Sequence, residues 1–269
     1  MTRRTIPARL IPAALLALAV VSLPACDVVF QDTNAVNATD QWKRTFTLAD
    51  GGRVEIINLN GPIEVTASAG TTVDVVADLL ASGATDQLAK DLLKTITIQE
   101  QAAPDRIRLE VPRAADSGGF DIGPRGRTSV TFKVAVPRTA VVTVTTRNGD
   151  IRVTDVAGAL KAESTNGAVT CKGLSGPVNA STTNGPISVE VAAIRPEGIR
   201  LDTTNGPINL KVPADTKANI SAKWVRGGFQ AEGLTPQGES DRRRYTGKLN
   251  GGGPPIDLST TNGGIRIRS

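Results

Sequence analysis

Histidine is absent from this 269-residue chain, and cysteine occurs only twice, at Cys26 and Cys171. Without histidine there is no Ser-His-Asp or Cys-His nucleophile system and no histidine-based metal site. Aromatic residues make up 3% of the chain, so stacking platforms for bases or sugars are sparse. An excess of one charge is missing too. The chain has 31 basic and 26 acidic residues. Three of the arginines, Arg3, Arg4 and Arg9, sit in a segment expected to be removed, which leaves 28 against 26. A nucleic-acid partner needs a dense basic face and is not expected. The run Asp241-Arg242-Arg243-Arg244 is local and reads as a solvated loop.

What is present begins with an export signal. The three arginines form its positive part, and Ile11 to Leu23 form an apolar stretch of the length such signals use. That stretch is too short for a permanent membrane span. Leu23-Pro24-Ala25-Cys26 follows and resembles the bacterial lipobox, although a Pro stands where a small residue is usual. The resemblance implies cleavage before Cys26 and acylation of its thiol. An ordinary signal cleaved after Ala25, with Cys26 unmodified, is the alternative. Arg3-Arg4 is followed by Thr-Ile-Pro, a poor match to twin-arginine export. Residues 1–25 are thus expected to be a lipoprotein signal, 26–41 a polar, patternless tether, and 42–269 the folded body. With Cys26 acylated, Cys171 has no disulfide partner. Three glycosylation sequons, at Asn37, Asn179 and Asn219, are read as chance in a bacterial lipoprotein.

The body is organised by a repeat, the first thing to seek in a chain of this kind. Asn-Gly pairs at Asn60-Gly61, Asn148-Gly149, Asn166-Gly167, Asn184-Gly185, Asn205-Gly206 and Asn262-Gly263 share one frame. Apolar residues stand six and four places before each Asn, and three and five places after it. A spacing of two on both sides of a turn means strand, turn, strand with one face buried. Asn and Gly accept positive φ at low cost, so the pair is assigned to the tight turn. A degenerate copy has Arg226-Gly227 in the same slot. Cys171 fills a place held elsewhere by Val153, Val189, Leu210 and Ile267, so it is expected to be a buried small hydrophobe.

Intervals of 18, 18, 21, 21 and 36 residues separate successive corners from Asn148 to Asn262. Short, nearly constant periods suit stacked parallel coils, and an antiparallel meander is the competing arrangement. The copies of the form Thr-Asn-Gly-x-Ile-x-Val resemble the adhesin-like family of bacterial domains of unknown function, related to the toast-rack and head-domain adhesin-like groups. That resemblance covers roughly residues 45–269 and implies an all-β fold, a β-solenoid of single-stranded stacked coils with Asn-Gly turns, on a surface or periplasmic protein. It implies no catalytic residues and no cofactor.

Outside the array, Thr72–Ala81, Ile96–Ile98, Arg106–Val111 and Thr128–Val136 read as strands, and Ala84–Leu93 as one short helix. Residues 113–127 and 240–255 read as exposed loops, the places on a rigid scaffold where function often sits. Asp116 and Asp121 in the first loop are a paired-carboxylate candidate with nothing to fix their distance. The functional expectation is a lipid-anchored, non-enzymatic envelope protein. Its expected partners are the membrane, through its lipid, and an envelope protein or polysaccharide. The alternative is a protein that acts on envelope polysaccharide as an enzyme or binder.

Overall fold

In the computed structural model, which describes residues 35–112 and 126–269, each Asn-Gly copy forms one coil of two strands. Strand β1 (Val36–Thr47) precedes the first coil, β2 (Arg53–Asn60) with β3 (Ile63–Ser68). Then come β4 (Thr72–Gly83), helix α1 (Asp86–Thr95), the hairpin β5 (Gln99–Ala103) and β6 (Arg106–Glu110), and β7 (Arg127–Pro137). Four coils follow in succession. They are β8 (Val141–Asn148) with β9 (Ile151–Thr154), β10 (Leu160–Asn166) with β11 (Val169–Leu174), β12 (Val178–Asn184) with β13 (Ile187–Val191), and β14 (Ile199–Asn205) with β15 (Ile208–Lys211). The Arg226 coil is β16 (Ala218–Arg226) with β17 (Phe229–Glu232). A hairpin of β18 (Gln237–Ser240) and β19 (Arg244–Leu249) leads to the last coil, β20 (Pro255–Asn262) with β21 (Ile265–Arg268).

The first strand of every coil lies in an 11-stranded sheet and the second in a 10-stranded sheet. Neighbouring coils pair in parallel and in register, Asn60 against Asn148, then Asn166, Asn184, Asn205 and Asn262. This is the β-solenoid, and the parallel register rules out the meander. In the six Asn-Gly coils the four apolar places all point between the two sheets and are buried. Each larger aliphatic so placed contributes about 1.5–3 kcal/mol.

The order of the stack departs from the order of the chain. Strand β20 lies between β14 and β16, and β21 between β15 and β17. The last coil is therefore inserted between two earlier ones. Corner chemistry accounts for this. Asn262 continues the line of asparagines, donating to Asn205 Oδ1 at 2.7 Å, whereas an arginine at 226 has no amide to extend it. The imperfect copy is left outermost, and its Phe229 and Ala231 are only half-buried.

Three expectations need correction. The last residues of the expected tether, 36–41, belong to β1, which pairs antiparallel with β4 from Val36 against Gly83 to Thr47 against Thr72. As an edge strand β1 half-buries an apolar residue only every fourth place (Ala38, Trp42, Phe46), so the alternation of two is masked. Ile96–Ile98 forms no strand; pairing in that region starts at Gln99. Residues 244–249 of the second expected loop form β19, where Tyr245 and Leu249 are buried while Arg244, Thr246 and Lys248 are exposed. Helix α1 runs two residues later than its expected span. It starts at the cap residue Thr85, whose hydroxyl accepts the Leu88 N–H at 3.2 Å, and it packs against β1 and β4. Cys26 and the signal, together with Asp116 and Asp121, lie outside the described residues.

Candidate binding surface

The Asn-Gly corners form a spine along the stack. None of their asparagines has positive φ; among the described residues, the only non-glycines that do are Asp155 and Asn250. Their role is a ladder of side-chain amides. Asn148 donates to Asn60 Oδ1 at 2.7 Å, Asn166 to Asn148 at 2.8 Å, Asn184 to Asn166 at 2.8 Å, and Asn205 to Asn184 at 2.8 Å. Each interior amide thus both donates and accepts along the stack. The glycines are required by close approach. A Cβ on Gly149 would lie 2.1 Å from the Gly61 carbonyl oxygen, one on Gly167 the same distance from Gly149, and one on Gly206 2.0 Å from Gly185. Just inside, the hydroxyls of Ser164, Thr182, Thr203 and Thr260 donate to the carbonyls of Gly149, Gly167, Gly185 and Gly206 at 3.0–3.1 Å. Although exposed, the asparagines are committed to the fold and are not a row of free ligands.

Cys171 is fully buried, and desolvation pushes its thiol pKa up to about 12. Only the thiolate is a competent nucleophile. Native protein at pH 8 is therefore expected to leave Cys171 unlabelled by maleimide over hours and to label within minutes in denaturant. Rapid native labelling would show that this place does not face the core.

The outer faces of the two sheets carry the polar side chains that the spine does not use. On the 11-stranded sheet, Thr165, Thr183, Thr204 and Thr261 make an exposed row. It is bordered by the ion pairs Lys161–Glu163 (3.0 Å) and Arg200–Asp202 (2.8 Å). Three carboxyls, Glu55, Asp78 and Asp91, are held below their ordinary pKa, chiefly by hydrogen bonds from Arg106, Gln41 and Gln87 respectively. They stay ionised at neutral pH, the opposite of a general acid. Asp241-Arg242-Arg243-Arg244 is the turn of the β18–β19 hairpin, with Asp241 Oδ1 accepting the Arg243 N–H at 2.8 Å.

The 10-stranded sheet carries a trough. The outward places four and six residues after each corner Asn decide its shape. At the fourth place, three successive coils have short polar residues, Thr170, Ser188 and Asn209, and the next has Arg266. At the sixth place stand Lys172, Glu190, Lys211 and Arg268. The short residues make a floor, the long ones a rim, and together they line a depression of about 200 Å³. Insertion of the last coil completes it, since β21 brings Arg266 and Arg268 beside Asn209 and Lys211. The apolar frame of the repeat does not mark these residues. The signal that finds them is the side-chain type at those two outward places of each copy.

A family model described as Toastrack DUF4097 matches residues 125–268. The chain belongs to the Toastrack family. The match takes in β7 and every coil except the first, so the trough lies wholly inside the Toastrack region. A putative cell adhesion protein from Clostridium sporogenes is similar in structure, with 11% identity, 86% of this chain and 99% of that chain covered, and a TM-score of 0.45. A putative adhesin from Bacteroides fragilis has 14% identity, with 85% and 96% covered and a TM-score of 0.38. No curated protein matches the sequence.

Proposed function

We propose that this Toastrack protein is a lipid-anchored envelope protein whose stack is a non-catalytic binding surface. The lipid reading rests on Leu23-Pro24-Ala25-Cys26 following an apolar stretch of signal length. No helix among the described residues is long and apolar enough to cross a membrane. The binding reading is supported most by one contrast. The polar groups of the spine are consumed by coil-to-coil bonds, while hydroxyls on the outer faces, in the trough and in the row from Thr165 to Thr261, remain available to a partner. The carboxyls with displaced pKa values are held ionised by neighbours, which suits ion pairing rather than proton transfer.

Replacing Cys26 by serine is expected to move the protein from the membrane fraction to the soluble fraction and to abolish labelling with radioactive palmitate. Palmitate still incorporated by Cys26→Ser would place the anchor elsewhere. Incubation with cell-wall and capsular polysaccharides is expected to yield no products. Turnover that a single Asp or Glu substitution abolishes would replace the binding reading with an enzymatic one.

A further inference from the structure

Two features mark the trough on the 10-stranded sheet. Its floor groups, the Thr170 and Ser188 hydroxyls and the Asn209 amide, make no side-chain hydrogen bond among the described residues, whereas the hydroxyls and amides of the spine do. Its lining holds four cations and one carboxylate. Lys211 pairs with Glu190 at 3.2 Å, and Arg266 turns to Glu232 at 3.0 Å. Lys172 and Arg268 have no carboxylate within 4.0 Å among the described residues.

These two free cations stand on β11 and β21, three places apart in the sheet order β11-β13-β15-β21. At about 4.8 Å per strand the gap is about 14 Å. One small anion cannot reach both, but a chain bearing repeated anionic groups can. The depression is smaller than the about 300–1,000 Å³ of pockets that swallow a whole ligand, so it suits one unit of a longer molecule. The floor offers hydroxyl and amide groups, which match sugar hydroxyls. No aromatic lines it, so single-stranded nucleic acid finds no stacking platform. A flat bilayer can touch the rim but not the floor hydroxyls between its long side chains.

We infer that the trough binds an acidic polysaccharide lying along the stack axis, its anionic groups on Lys172 and Arg268 and a sugar ring over Ser188. This rests on reading the stack as a binding surface. The shared chemistry is a polyanionic sugar chain, with carboxylate or sulfate as the source of charge.

The test measures binding of the purified exported chain to polygalacturonate, dextran sulfate, neutral dextran, phosphatidylglycerol vesicles and oligo(dT). The acidic polysaccharides are expected to bind and neutral dextran not to. Preference for polygalacturonate or dextran sulfate identifies the anionic group. Lys172→Glu with Arg268→Glu is expected to weaken binding about tenfold or more, equivalent to about 1.4 kcal/mol. Ser188→Trp, which fills the floor without changing charge, is expected to weaken it comparably. Lys223→Glu with Arg244→Glu, an equal charge change on the other sheet, is expected to leave binding within about threefold. Equal losses from both charge pairs, or vesicles or oligo(dT) bound more tightly through the same residues, would overturn the assignment. So would failure of both acidic polymers to bind. If polymers fail but the chain still binds isolated cell envelopes, the trough is wrong and the surface reading stands; if neither binds, both fall.

Discussion

Gly206→Ala is expected to destabilise the protein by about 3 kcal/mol, the upper part of the usual range for overpacking a close-packed interior. The added Cβ would sit 2.0 Å from the Gly185 carbonyl oxygen and 2.5 Å from its carbon. Both obstacles are backbone atoms of the neighbouring coil, so no side chain can swing away. Relief requires the coils to part, which strains the bonds that hold them: Gly185 N–H to Asn205 O at 2.9 Å and Thr203 hydroxyl to Gly185 O at 3.1 Å. Intrinsic preference runs the other way, because alanine in a strand-like segment is favoured over glycine by about 0.5–1 kcal/mol. A large loss therefore reports the close approach itself. Gly228→Ala is the control, since nothing lies within 4 Å of its Cβ, and it should stay within about 0.5 kcal/mol of the parent. Urea unfolding of the two variants separates them, and equal midpoints would mean the coils are not so closely stacked.

Ending the chain after Gly253 is expected to have a still larger effect. It removes the last coil, with Ile256, Leu258, Ile265 and Ile267 all buried. At about 1.5–3 kcal/mol each, these contribute about 6–12 kcal/mol, comparable to the about 5–15 kcal/mol that holds a whole domain together. In a stack whose coils contact only their neighbours, losing a terminal coil shortens the array and little else. Here the lost coil lies between two others, so the Arg226 coil and its hairpin lose their attachment to the Asn205 coil. Hydrogen exchange should find residues 218–249 unprotected while residues 142–189 keep their protection. Retained protection over 218–226 would show that the Arg226 coil stacks directly on the Asn205 coil.

Much of the fold is legible in the sequence because burial in a coil follows a strict alternation. The two apolar places on each side of Asn-Gly name the inward residues of every such copy, including Cys171. Order within the stack is not legible in the same way. All copies share one pattern, so alternation says which side faces in and not which coil lies alongside which. Only the arginine at 226, in place of an asparagine, marks the outermost copy. The asparagines show a related ambiguity: a tight turn and an amide ladder select the same residue, and only coordinates separate them. β1 and β19 were hidden for another reason, since edge positions relax the pattern, leaving Trp42 and Phe46, or Tyr245 and Leu249, among polar neighbours. The trough was hidden because outward places carry no periodic constraint; it exists only where three short polar residues happen to fall on adjacent coils.

The inserted last coil underlies both the stack and the trough, and disulfide trapping tests it most directly. Thr204 and Thr261 lie on the adjacent strands β14 and β20, between paired residues on either side. Their Cα atoms should stand one strand spacing apart, about 4.8 Å, within the about 4.4–6.8 Å that a disulfide spans. Thr204 and Val225 are separated by β20, at about twice that distance. Under mild oxidant, Thr204→Cys with Thr261→Cys should form an intrachain disulfide, and Thr204→Cys with Val225→Cys should not. A disulfide between 204 and 225, with none between 204 and 261, would mean the coils stack in chain order and that Arg266 and Arg268 do not complete the trough.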